Sequence, residues 1–197
     1  MTTKDQSSDR STTTRKHIVE TAKRLFYELG YNQTSFADIA RAADIPKGNF
    51  YYHFKTKDDI LSAVIRSRID EIRSFLQTME QEFPEPQNRL QNFINTASDF
   101  SSAIARFGCP LGTLMTELGK NQPTLKAQAQ EMFDLYRHWI SEQFRALGHG
   151  ARADGLAMRL LSRTQGISLM GHVYGQDEFV KTELAELGQW LSSTASG

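Results

Sequence analysis

Residues Gly30 to Lys57 read GYNQTSFADIARAADIPKGNFYYHFKTK, and this stretch sets two short helices on either side of a tight turn. Thr34 and Ser35 place hydroxyls ahead of the apolar set Phe36, Ile39, Ala40 and Ala43. Asp38 stands three residues after Ser35, a variant of the capping box, so a helix is predicted from about Ser35. The pattern breaks at Ala43-Asp44-Ile45-Pro46. Aspartate tolerates a left-handed backbone, and the fixed φ of proline suits the first turn of a new helix. That helix, Pro46 to His53, is too short to stand alone. Phe50 and Phe54, four apart, anchor it to its neighbours and leave its N-terminal end facing outward.

The outward residues suit a nucleic-acid duplex. Lys47 neutralises a phosphate, Gly48 lets the backbone approach closely, and Asn49 reaches a base edge in the major groove. Tyr51, Tyr52 and His53 donate to phosphate oxygens or press their rings on sugars and thymine methyls. Thr56 with Asp59 forms a second capping box, which puts Lys57 at the N-terminus of a long fourth helix, where a phosphate is favoured. Upstream, Ile18, Val19, Ala22, Leu25, Phe26 and Leu29 recur on one helical face until Gly30 stops the helix. Two plainer readings stand beside this one. The surface suits a protein-binding subdomain less well, because basic and aromatic groups are mixed on it. Tyr52 and His53 also fit as side chains packed on the first helix.

The order TSFADIA, AADIPKGNFYYHF, KTKDDIL closely resembles the DNA-binding domain of the tetracycline-repressor (TetR) family of bacterial transcriptional regulators. The turn departs from the family's usual Gly-Val-Ser, having Asp44, Ile45 and Pro46, which removes one hydroxyl. The resemblance implies DNA contact through Thr34, Ser35, Lys47, Gly48, Asn49, Tyr51, Tyr52, His53 and Lys57.

Charge divides along the chain. Residues 1–57 carry ten Lys or Arg against six Asp or Glu, and the rest carry thirteen against seventeen, so a net charge of zero conceals a basic head on an acidic body. So small a surplus implies that one head binds DNA weakly and that pairing two heads strengthens it. The scarcity of alternating β-branched runs argues against a sheet. The expected fold is all-α, with about nine helices in two domains: a helix-turn-helix domain over 14–57 and a helical effector-binding and dimerisation domain over 58–197. Residues 1–13, MTTKDQSSDRSTT, read as a disordered arm. No apolar run is long enough for a membrane span and the start lacks a signal peptide's apolar core, so the expected location is cytoplasmic.

Past Lys57, an apolar stripe from Ile60 to Met79 continues until Phe83-Pro84-Glu85-Pro86 ends it. Further helical patterns cover about 87–107, 110–118, 123–147, 153–173 and 177–192. In the middle of the body, Phe100, Ile104, Phe107, Cys109, Leu114, Met115, Leu118, Phe133, Tyr136, Trp139 and Ile140 supply much large apolar surface. Periodicity alone favours plain core over a pocket, whereas the resemblance implies an effector cavity there for a small molecule of unknown identity. His138 and His172 read as satisfied or surface histidines.

Cys109 is the only cysteine, so it forms no intramolecular disulfide. It stands at a turn, in FGCPLGTLMTEL, ahead of a helix N-terminus, where thiols are more reactive. The stretch resembles a subset of the family in which such a cysteine senses electrophiles or oxidants; the plainer reading is a small apolar residue lining the pocket.

Near the C-terminus, Leu156, Leu160, Leu161, Thr164, Ile167, Ser168 and Gly171 form one stripe, and Leu184, Leu187, Trp190 and Leu191 another. Paired copies of these two helices suit a four-helix homodimer interface, although the same stripes also suit inward packing. The expectation is a dimeric repressor on a palindromic double-stranded DNA operator, released by an effector or by modification of Cys109. No cofactor is expected. No metal set or catalytic triad is recognisable, so a cytosolic helical enzyme is a weak alternative, as is a non-specific DNA-architectural protein.

Overall fold

The computed structural model describes residues 3–118 and 122–195, with side chains placed from Ser11 to Leu118 and from Gln122 to Thr194. Among the described residues there are ten α-helices, one 3-10 turn and no strand: α1 (Thr3–Glu28), α2 (Phe36–Ala42), α3 (Lys47–His53), α4 (Lys57–Glu82), α5 (Pro86–Asp99), α6 (Ser101–Phe107), α7 (Pro110–Leu118), α8 (Pro123–Ala146), the 3-10 turn Gly150–Arg152, α9 (Ala153–Tyr174) and α10 (Asp177–Ala195). The all-α class is as expected. Two elements differ from the sequence reading. The span 87–107 is two helices, because Phe100 leaves helical geometry (φ −96°, ψ 13°) and closes α5 while opening α6. Helix α1 begins at Thr3, inside the stretch expected as a disordered arm, because an established helix extends at the cost of one residue per added hydrogen bond; Met1 and Thr2 lie outside the described residues.

The chain divides into two compact units, residues 1–69 with 114–129, and 70–113 with 130–197. In the first, the apolar face of α1 (Ile18, Val19, Ala22, Leu25, Phe26) is buried together with Ile39 of α2, Phe50 of α3, Phe54, and Ile60, Leu61, Val64 and Ile65 of α4. Leu29, expected on that face, is 56% exposed. Gly30 ends α1 at φ +89°, and Asp44 takes the left-handed conformation (φ +51°) that its place in the turn requires.

In the second unit, α5, α6 and α9 all pack on α10 or on one another around Leu90, Ile94, Ile104, Leu156, Leu160, Val180, Leu184 and Leu187. Gly171 lies so near α10 that an added Cβ would meet the Val180 side chain at 2.2 Å. Arg89 clasps the turn between α4 and α5, its guanidinium donating to the carbonyls of Phe83 (2.7 Å) and Pro84 (3.2 Å) and to Gln143 (3.1 Å). The proline pair ends α4, and Arg89 satisfies the carbonyls so released. No described helix is long and apolar enough to cross a membrane.

Candidate nucleic-acid interface

Local hydrogen bonds fix α2 before any tertiary contact. Ser35 is its N-cap: the backbone N–H of Asp38 donates to the Ser35 hydroxyl oxygen at 3.1 Å, and the Ser35 N–H donates to the Asp38 carboxylate at 3.0 Å. The Ser35 hydroxyl, which also donates to the Asp38 carboxylate at 2.5 Å, and then the Ser35 N–H, with help from Arg41, hold the Asp38 carboxyl below the usual carboxylate range. The same box recurs at α4, where the Asp59 N–H donates to Thr56 Oγ1 (3.0 Å) and the Thr56 N–H donates to Asp59 (2.9 Å). Asp59 is likewise lowered, chiefly by Thr56.

Helix α3 is held from beneath by aromatic packing. Phe50 and Phe54 are buried; Phe36 stands edge-on to Phe50 with centroids 4.8 Å apart, and it also leans on Tyr51 at 5.1 Å. The guanidinium of Arg15, from α1, sits 4.8 Å over the Phe54 ring. The opposite face is open. Lys47, Gly48 and Asn49 are exposed, Tyr51 is 42% exposed and Tyr52 is 72% exposed. Nothing lies within 4 Å of the place a Gly48 Cβ would take, so a duplex backbone meets no protein there. Lys55 is spent locally, its Nζ donating to the Tyr51 carbonyl at 2.6 Å.

Four of the nine expected DNA-contacting residues sit differently. Thr34 is 1% exposed, and its hydroxyl donates to the Gly30 carbonyl at 2.7 Å, so it builds the turn and presents no group to a phosphate. Lys57 is partly buried; its ammonium donates to the Tyr31 carbonyl at 2.9 Å and rests 4.2 Å over the Tyr31 ring. His53 is half-buried, and desolvation first, then the Arg15 charge, lower its pKa. Ser35 is exposed but engaged in its cap. The open set is therefore Lys47, Gly48, Asn49, Tyr51 and Tyr52. Phe36, which supports Tyr51, was missed as a supporting residue; its place between capping Ser35 and the apolar run was the available signal.

The residues expected to line an effector cavity are divided by the fold. Leu114, Met115 and Leu118 belong to the first unit, and Phe100, Ile104, Phe107, Cys109, Phe133, Tyr136 and Trp139 to the second. Within the second unit Phe100 is 61% exposed, while Ile104 and Trp139 are buried. Phe93, not singled out from the sequence, gathers Tyr136 (centroids 5.4 Å) and Trp139 (6.4 Å), and the Trp139 indole N–H donates to Glu80 at 3.0 Å. An open cleft of about 430 Å³ between α4 and α8 is lined by Leu76, Leu135, Trp139 and several carboxylates. The Cys109 thiol is half-buried, and the Gln165 side-chain amide donates to its sulfur at 3.4 Å.

The expected dimer stripes are largely core. Leu156, Leu160, Leu161, Thr164, Ile167, Ser168, Leu184, Leu187 and Leu191 are all under 9% exposed within the single chain, and Gly171 is closed off by Val180. Side chains already enclosed by α5, α6 and α10 have little area left for a second copy. Helix α9 instead turns Met158, Leu169, Met170, Val173 and Tyr174 outward, each 41% exposed or more. Trp190 is half-exposed beneath the guanidinium of Arg163, 5.2 Å from its ring. Among the described residues, no group of three or more His, Cys, Asp or Glu is placed to hold a metal ion.

Capped α2, left-handed Asp44 and anchored α3 with an open basic end define a helix-turn-helix protein. The family model for bacterial regulatory proteins of the TetR family matches residues 18–64, and that for the C-terminal domain of LmrA/YxaF-like transcriptional regulators matches residues 86–182. The chain belongs to the TetR family. It is 30% identical over 133 residues to the HTH-type transcriptional repressor DhaR of Mycobacterium sp. (strain GP1), an overlap of 66% of this chain and 63% of DhaR. It is 28% identical over 121 residues to the uncharacterised regulator YxaF of Bacillus subtilis, covering 60% of this chain and 63% of YxaF. A TetR regulator from Legionella pneumophila has the same fold, with TM-score 0.79 and 24% identity over 88% of this chain and 94% of that one.

Proposed function

We propose that the protein is a sequence-specific transcriptional repressor that binds a palindromic operator as a homodimer and is released by a small molecule. The observation that carries this is α3: Phe50 and Phe54 fasten it, and Lys47, Gly48, Asn49, Tyr51 and Tyr52 stand open on its other side. Asn49 supplies the base-edge donor and acceptor, Lys47 the phosphate charge, and the tyrosines hydroxyls and flat apolar faces. Two such heads on one duplex lie about 34–36 Å apart, one helical turn. The relative DhaR is named a repressor, which favours repression over activation.

The outward face of α9 supplies the pairing surface. Besides its large apolar residues it carries Gly155 and Gly166, where an added Cβ meets nothing within 4 Å, so a second helix has room to approach closely. The aromatic group Phe93, Tyr136 and Trp139 in the second unit favours an apolar, ring-bearing effector. Effector and operator then oppose each other with a coupling that is reciprocal. Modification of Cys109 is a second route to release, favoured by its half-buried thiol and the Gln165 donor at its sulfur. Under it, Cys109→Ser abolishes the response to electrophiles and spares the response to the small molecule.

The test is selection of bound duplexes from a randomised pool. The expected result is an enriched inverted repeat bound by the wild type and lost by the Asn49→Ala/Tyr51→Ala double variant. Enrichment that survives the double variant would overturn the recognition surface.

A further inference from the structure

We infer that Glu117, on α7, is a positioning residue for DNA binding: its carboxylate clasps the turn that leads into the helix-turn-helix. This rests on the DNA-binding reading above. The Tyr31 N–H donates to Oε1 of Glu117 at 3.1 Å, and the Asn32 N–H donates to Oε2 at 2.8 Å. Two consecutive backbone amides pointing at one carboxylate form charge-assisted bonds with a fixed geometry. Gly30 completes the fit, since a Cβ there would stand 3.1 Å from the same carboxylate, and its φ of +89° disfavours any side chain.

Water would satisfy the exposed Asn32 amide equally well, so a carboxylate 85 residues away in sequence adds a constraint rather than mere solvation. The constraint is two-sided. The Tyr31 ring is 2% exposed, Gln122 donates to its hydroxyl at 3.3 Å, and that hydroxyl donates to Asp58 at the start of α4. Lys57 holds the Tyr31 carbonyl. From Tyr31 the chain passes through Thr34, whose hydroxyl closes back on Gly30, straight into the Ser35 cap of α2. Gripping the Tyr31 and Asn32 amides therefore sets where α2 begins, and through the α2–α3 turn where Asn49 points.

Helix α7 runs from Pro110 to Leu118. It opens directly after Cys109. The clasp thus ties the recognition helix to whatever fixes α7, and its loss leaves each head able to bind a half-site while relaxing the spacing between half-sites.

Two measurements on the full chain test this. In hydrogen exchange by mass spectrometry, the segment with Tyr31 and Asn32 exchanges at least about tenfold faster in Glu117→Ala, and by less in Glu117→Gln, which keeps one acceptor. Unchanged exchange overturns the clasp whatever the protein does to DNA. In binding to duplexes carrying the selected inverted repeat with its spacer shortened or lengthened by one or two base pairs, wild type discriminates sharply. Glu117→Ala loses about tenfold of that discrimination and retains single half-site affinity. Equal discrimination in both proteins overturns the positioning role, provided thermal melts show both folded. Failure of wild type to enrich any sequence strikes instead at the DNA-binding reading, and exchange still reports on the clasp.

Discussion

The Tyr31 hydroxyl donates a hydrogen bond to the Asp58 carboxylate, joining the turn after α1 to the first turn of α4. Burial first, and then this bond to a negative acceptor, push the Tyr31 pKa up from 10 to about 12. A group whose pKa is raised on folding contributes stability that is complete below its unfolded pKa and lost as pH rises through the folded one. The window is therefore pH 10 to 12. Wild type should lose melting temperature across it faster than Tyr31→Phe, which has no proton to release. Thermal melts of both proteins at intervals between pH 9 and 12 make the comparison. Parallel curves would refute the account.

Ser35 acts through α2's first turn. Ser35→Ala removes the acceptor for the Asp38 N–H and one donor to its carboxylate, at about 1 kcal/mol by the usual worth of an N-cap. Removing the principal cause of the Asp38 shift should also bring that carboxyl's pKa back up toward its ordinary value. Titration by NMR reads the second effect and denaturant melts the first. A stable variant with an unmoved Asp38 would mean that the helix is held by tertiary packing alone.

Phe50 and Tyr52 sit two residues apart with opposite roles. Phe50 is 0% exposed and Tyr52 72%. Phe50→Ala should cost about 3–5 kcal/mol of stability, the range for a buried phenylalanine. Tyr52→Ala should leave stability within about 0.5 kcal/mol and weaken binding to the selected duplex. Denaturation curves and fluorescence anisotropy on the two variants separate them. If Tyr52→Ala binds as wild type does, the tyrosine is no part of the interface.

The helix-turn-helix was legible because its signals are local. Ser35 with Asp38, Thr56 with Asp59, left-handed Asp44 and the Phe50–Phe54 pair each act within a few residues, and each appears in the fold as its spacing predicts. Side chains whose partners are distant were not legible. Thr34 looks like a phosphate donor until Gly30 is seen to take its hydroxyl, and Lys57 looks free until Tyr31 lies beneath it. Nothing in the sequence joins Glu117 to Asn32. Helix α9 misled for another reason: it is apolar on two faces, with Leu156, Leu160 and Ile167 inward and Leu169, Met170 and Val173 outward. Periodicity finds a stripe in such a helix and is silent on which stripe meets the chain's own core.

That two-faced helix gives the last prediction. If copies pair through the outward face, Leu169→Arg with Val173→Arg places charges where apolar surfaces meet, and an unpaired charge desolvated there is costly. Both residues are about 60% exposed in the single chain (61% and 60%), so the substitutions should leave its fold intact. Sedimentation should show a dimer for wild type and a monomer for the double variant at equal concentration. Affinity for the inverted repeat should fall to that of a half-site, with a shallower dependence on salt because fewer phosphates are neutralised at once. Leu160→Ala, on the inward face and 0% exposed, should do the reverse, costing about 2–5 kcal/mol of stability while leaving the folded fraction dimeric. A double arginine variant that still sediments as a dimer would return the interface to another surface of the chain.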